Sequence, residues 1–73
     1  MMTNTKLLKE WIKKSGLKQE YIAGRLNLSS YGFARKRDNL SKFDASEIDL
    51  LCDILGIESI EDRFAIFFAK DVD

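Results

Sequence analysis

The stretch from Gln19 to Arg37 constrains this chain more than any other, because it spells two short helices with only a tight turn between them. Within Gln19-Glu20-Tyr21-Ile22-Ala23-Gly24-Arg25-Leu26, the residues Ile22, Ala23 and Leu26 fall at the i, i+1, i+4 spacing of one buried helical stripe. Ala23 is the small residue in that stripe. Two helices that cross steeply through a short turn approach closely only where such a side chain faces the partner. Asn27 suits the turn, since asparagine tolerates the left-handed backbone needed there. Leu28 then returns to the core. Ser29 is a good N-cap for the second helix, its hydroxyl able to accept from one of the first unpaired backbone N–H groups. Phe33 is the inward anchor of that helix, and the stretch ends on three cations, Arg35, Lys36 and Arg37.

The flanking sequence is helical too. Asn4 or Thr5 can cap a first helix running to about Ser15, with Leu7, Leu8, Trp11 and Ile12 as its apolar stripe and Gly16 as its left-handed stop. Helix two starts at Lys18 or Gln19, and its interior Gly24 costs about 1 kcal/mol relative to alanine, which suggests a close approach there. Asp38 to Lys42 is a loop with Leu40 and Phe43 tucked under the domain. Asp44-Ala45-Ser46-Glu47 is a capping-box start for a fourth helix that Gly56 ends. Ile48, Leu51, Cys52 and Leu55 make its core stripe, so Leu50 and Ile54 lie to the side as surplus apolar residues. Ser59-Ile60-Glu61-Asp62 can cap a further turn. After it, Ile66-Phe67-Phe68-Ala69 fits either a continued helix or an extended arm. With no proline and these periodicities, the chain reads as one all-α domain of five helices over 1–73, its central motif at about 18–37.

Seventy-three residues, 45% of them hydrophobic, build one small core of modest stability. No apolar run approaches 18 residues and the start is polar, so the expected place is the cytoplasm, without membrane contact. Cys52 is alone and at core spacing, which makes it a filler rather than a nucleophile. The chain has no histidine to activate a thiol or ligate zinc, and no glycine-rich phosphate cradle. An enzyme, a metal, a cofactor and a small-molecule ligand are therefore not expected.

The formal net charge is zero, which at first argues against nucleic acid, yet the charge is segregated. Residues 1–37 carry a net +7 and residues 38–73 a net −7. One half suits phosphates and the other repels them; the same split suits a charged protein partner.

Gln19, Ile22, Ala23, the turn at Asn27, Leu28, Ser29 and Phe33 resemble the helix-turn-helix of Cro/CI-type (XRE-like) phage and bacterial regulators. The likeness covers almost the whole chain. Downstream, Lys36-Arg37-Asp38-Asn39, Phe43, Ser46-Glu47-Ile48, Leu55-Gly56 and Ile66-Phe67-Phe68-Ala69 are most similar to a short phage subgroup, the modulator-of-repression (antirepressor) proteins of temperate phages of Gram-positive hosts. Three positions depart from the common pattern: Asn27 replaces a glycine, Gly32 lies inside the second helix of the motif, and Lys36-Arg37 stand where a Trp-Glu pair is usual.

In such a fold the second helix of the motif enters the major groove and the start of the first touches phosphate. The resemblance thus implies Ser30, Tyr31 and Arg35 as base-reading candidates, Arg35 as the best guanine contact, Gln19, Lys36, Arg37 and Asn39 on the backbone, and Ser29 as a further DNA-binding candidate. The plainer alternative is that Arg35 to Arg37 are a solvated helix end, where cations are favoured. Leu50, Ile54, Phe64, Phe67 and Phe68 are candidates for a protein interface, against the alternative of an ordinary fifth helix closing the core. Two functions follow. One is an antirepressor that binds a CI-type phage repressor and alters its operator binding, with weak DNA binding of its own as an option. The other is a Cro-type repressor that binds operator DNA as a homodimer.

Overall fold

The computed structural model describes residues 2–70. Five helices follow one another: α1 (Thr5–Ser15), α2 (Gln19–Arg25), α3 (Ser30–Arg37), α4 (Ala45–Leu55) and α5 (Ile60–Phe67). The expected all-α architecture is the observed one, and among the described residues the only extended pairing is an isolated bridge between Met2 and Ala69.

Each boundary has a local cause. Asn4 starts α1 by accepting from Leu7 N–H at 3.1 Å, and Asp44 and Glu47 start α4 as a reciprocal capping box at 2.7 and 2.9 Å. Ser29 and Ser59 cap α3 and α5 in the same manner. Three helices close with one shared backbone device, in which a left-handed residue lets two N–H groups fold back on the last carbonyls. At α2, Leu28 N donates to Ala23 O at 2.9 Å and Asn27 N to Gly24 O at 3.0 Å, with Asn27 at φ 62°. At α3 the pairs are Leu40 N to Arg35 O and Asn39 N to Lys36 O, with Asn39 at φ 66°. At α4 they are Ile57 N to Cys52 O and Gly56 N to Asp53 O, with Gly56 at φ 73°.

Ala23, 1% exposed, lets α2 and α3 pack against each other, while α1 rests on α4 and α5. The core comprises Leu8, Ile22, Leu26, Phe33, Leu51, Cys52, Leu55, Ile57, Ile66 and Phe67 around that joint. Burial pushes the Cys52 thiol above its ordinary value, which suits a filler. An aromatic chain runs through the molecule: Phe33 meets Phe43 edge-on at 5.9 Å, and Phe43 meets Phe67 at 5.8 Å. Phe67, a candidate interface residue by sequence, is thus 5% exposed and belongs to the core. Leu40 departs from expectation in the other direction. It is 64% exposed, because the loop after α3 turns its side chain outward.

The fifth helix is longer than one turn and ends at Phe67. Beyond it the chain extends, and Ala69 exchanges two hydrogen bonds with Met2 at 3.0 and 3.1 Å. Asn4 N adds a third tie to Ile66 O. Residues 71–73 of the expected arm lie outside the described residues.

Gly24 has no such reason. A Cβ placed there meets nothing within 4 Å, and its backbone is not left-handed, so the approach expected from sequence is absent. Gly24→Ala should stabilise the domain by about 1 kcal/mol. In thermal unfolding that is a midpoint rise of roughly 4–8 °C for a domain of this size. A fall would mean that the position serves a contact outside this fold.

Candidate functional site

Two faces carry the residues singled out by sequence. The first is the outer side of α3 with the start of α2. Ser29 spends its hydroxyl on capping, accepting from Gly32 N at 2.9 Å. That contact accounts for Gly32, since a Cβ there would come within 3.1 Å of the Ser29 Oγ. Ser30 and Tyr31 face solvent, Tyr31 at 73% exposure. Arg35 lies over the Tyr31 ring, 5.9 Å from its centroid, and folds back to donate to Ser41 Oγ at 3.3 Å and Leu40 O at 3.1 Å.

The remaining candidates on this face are tied within the molecule. Lys36 Nζ sits between both carboxylate oxygens of Glu47 at 2.6 and 2.7 Å, and only 20% and 12% of the two side chains is exposed. Arg37 forks onto both Asp38 oxygens at 2.8 and 2.7 Å and donates to Gln19 Oε1 at 2.7 Å. That hydrogen bonding raises the Arg37 guanidinium above its ordinary value and holds the Asp38 carboxyl below its usual range. Asn39 is a clip. Its Oδ1 accepts from Thr3 N at 2.7 Å and its Nδ2 donates to Thr3 O at 2.8 Å, so a side-chain amide takes the place of a paired strand. Thr3 is accordingly buried, and Thr5 Oγ1 donates to Arg37 O beside it. Gln19, Lys36, Arg37 and Asn39 thus come together, but as a network joining α2, α3, α4 and the N-terminal segment. Presenting Lys36 to a phosphate would strand a largely buried Glu47 carboxylate.

The second face is on α5. Phe64 and Phe68 stack at 5.4 Å between centroids, with Phe64 59% exposed. Leu50 and Ile54 are half-buried on α4 and, like Phe68, packed against the core, and Arg63 of α5 reaches Asp49 and Asp53 of α4. Sequence reading missed two features. Ile60, 78% exposed, extends the Phe64–Phe68 line, and its i, i+4, i+8 spacing was there to be seen. Tyr21 and Arg25 also form a pair, with Arg25 Nη1 donating to Tyr21 OH at 3.0 Å, which repeats on α2 the Tyr31–Arg35 arrangement of α3.

Among the described residues, no group of three His, Cys, Asp or Glu is placed to hold a metal, and no helix is long and apolar enough to cross a membrane. The chain is a small all-α domain of five helices, with a polar network at the end of α3 and an apolar line on α5. Comparison with protein-family profiles, with curated proteins and with solved structures gives no match.

Asn39→Ala should cost about 2–3 kcal/mol in urea unfolding, combining a strained left-handed alanine with two lost hydrogen bonds. Asn39→Gly should recover the backbone part alone, and in both variants the Thr3 amide should lose exchange protection. Full stability in Asn39→Ala would refute the clip. Acid should also weaken this corner. The Asp38 carboxyl is lowered from 3.8, so the stability that it contributes is complete above about pH 4 and is lost as pH falls through its folded value. Asp38→Asn should flatten the acid limb of a stability–pH curve, and an unchanged limb would assign that limb to other carboxylates.

Proposed function

We propose that this protein is a non-catalytic regulator of a temperate-phage lysis–lysogeny switch, acting in the bacterial cytoplasm as an antirepressor. It binds a CI-type repressor and alters that repressor's hold on its operator. The resemblance of Gln19 to Phe33 to Cro/CI-type helix-turn-helix regulators, and of the downstream residues to modulator-of-repression proteins, supplies the class.

The observation that carries the choice within the class is the network at the end of α3. Lys36 is held by Glu47, Arg37 by Asp38 and Gln19, and Asn39 by Thr3. Four side chains that a DNA-reading domain would turn to phosphate are already satisfied internally, and the −7 half of the chain opposes DNA besides. The exposed apolar line on α5 supports a protein contact in its place.

One observation favours the second reading, a Cro-type repressor. Ser30, Tyr31 and Arg35 still lie on the outer side of α3, where a groove-reading helix presents its early residues. Arg35, held by a neutral hydroxyl and a carbonyl, is the cation that a guanine could most easily recruit.

A gel titration of operator DNA, with and without the phage's CI-type repressor, separates the two. The antirepressor reading expects little shift by this protein alone and loss or change of the repressor's band when it is added. Tight, sequence-specific binding by this protein alone would overturn that reading in favour of Cro. In that case Arg35→Ala should relax preference at one base position at a cost of about 1–3 kcal/mol.

A further inference from the structure

The outer face of α5 holds two large apolar side chains that the fold leaves exposed, Ile60 and Phe64. Ile60, Phe64 and Phe68 recur at every fourth residue and so stand in one line, spanning about 12 Å at the helical rise. Ile66 and Phe67 anchor the helix from its inner side, where both are buried. Ile60 and Phe64, at 78% and 59% exposure, remain in water, and Phe68, half-buried against the core, stacks on Phe64 and closes the line.

The surroundings of the line are anionic. Glu61 adjoins it on α5, and Glu58 precedes its N-terminal end, both exposed. Asp49 and Asp53 approach from α4, both largely exposed, with Arg63 at 3.4 and 3.8 Å from them. Against these four carboxylates stand Arg63, already engaged, and Lys70, so the face carries a net −2.

We propose that this face docks a cationic amphipathic helix of another protein, its apolar side chains on Ile60, Phe64 and Phe68 and its lysines or arginines beside Glu58, Glu61 and Asp53. Charge decides the occupant. A second copy using the same face would set net −2 against net −2, and like charges across an interface disfavour a partner. DNA and an anionic membrane surface are repelled for the same reason. A neutral apolar helix would leave the carboxylates unmatched, whereas a basic one answers both the line and its border. The inference rests on the antirepressor reading only for the partner's identity, a CI-type repressor; the chemistry of the face does not need it.

The test uses a fluorescent helical peptide of leucine and lysine at amphipathic spacing, and its counterpart with glutamate for lysine, titrated with the full chain. The lysine peptide should bind at least about tenfold more tightly than the glutamate one. Phe64→Ser, at an exposed position that leaves circular dichroism unchanged, should weaken that binding at least about tenfold. Glu58→Gln with Glu61→Gln should weaken it roughly threefold to tenfold at low salt, and the difference should fade at high salt. Equal binding of the two peptides, or binding untouched by both variants, would overturn the proposal. So would sedimentation as a dimer that Phe64→Ser dissociates, which would make the occupant a second copy. The full-length repressor separates the two ideas. A repressor complex that survives Phe64→Ser unchanged overturns this surface, whereas peptide binding with no repressor complex supports the surface and overturns the antirepressor role.

Discussion

Phe33, fully buried on α3, meets Phe43 in the loop before α4, and Phe43 meets Phe67 on α5. Through these two edge-to-face contacts the helix pair α2–α3 is joined to the second half of the chain. Aromatic pairs of this kind add about 0.5–1.5 kcal/mol beyond the area that they bury, and truncating a buried phenylalanine typically costs about 3–5 kcal/mol. In a chain of 73 residues that is a large share of the total stability. The placement of α3 follows from the same contacts. With Phe33 inward, Tyr31, two residues before it, must face water on the other side of the helix, and Ser30 is exposed as the first residue of α3.

A second constraint is polar and depends on the first. Asn39 is left-handed because α3 must stop there, and in that conformation its amide reaches the Thr3 backbone. Thr3 in turn lies beside the bridge from Met2 to Ala69, so the end of α3 and the end of α5 are tied through one short extended segment. Lys36 and Glu47 add a link from α3 to the first turn of α4, where Glu47 already serves the capping box. The concentration of cations at the end of α3, which in isolation looks like a phosphate-binding end, is largely consumed in holding the helices in register.

The charge split and the apolar line then take on a single physical sense. The acidic half holds the exposed Ile60 and Phe64, and in the basic half the cations at the end of α3 are internally paired or held. On the proposed reading, the α5 face repels nucleic acid and takes a cationic, amphipathic protein surface. The polarity that argues for a protein partner was already present in the linear order of charged residues, but its meaning depends on which of those charges are satisfied at home.

Much of this architecture was legible before any coordinate. Asn4, Ser29, Asp44 and Ser59 announce helix starts, because short polar side chains satisfy the first N–H groups wherever they stand. Gly16, Asn27 and Gly56 announce stops, because few residues accept a left-handed backbone. The apolar periodicity placed Ile22, Ala23, Phe33, Leu51 and Cys52 in the core, and all are buried. These are local rules, and they act within one turn of chain. The site was less legible, because its facts are distant in sequence. Phe67 reads as surplus until Phe43 is seen against it, Asn39 as a phosphate ligand until Thr3 arrives from 36 residues away, and Lys36 as a free cation until Glu47 closes on it. Sequence by itself determined the starts of the helices, the ends of the first four and the segregation of charge, since each is set by neighbouring residues. Only the tertiary structure decided which cations are occupied and which aromatics are left in water, since both depend on side chains that folding alone brings within reach.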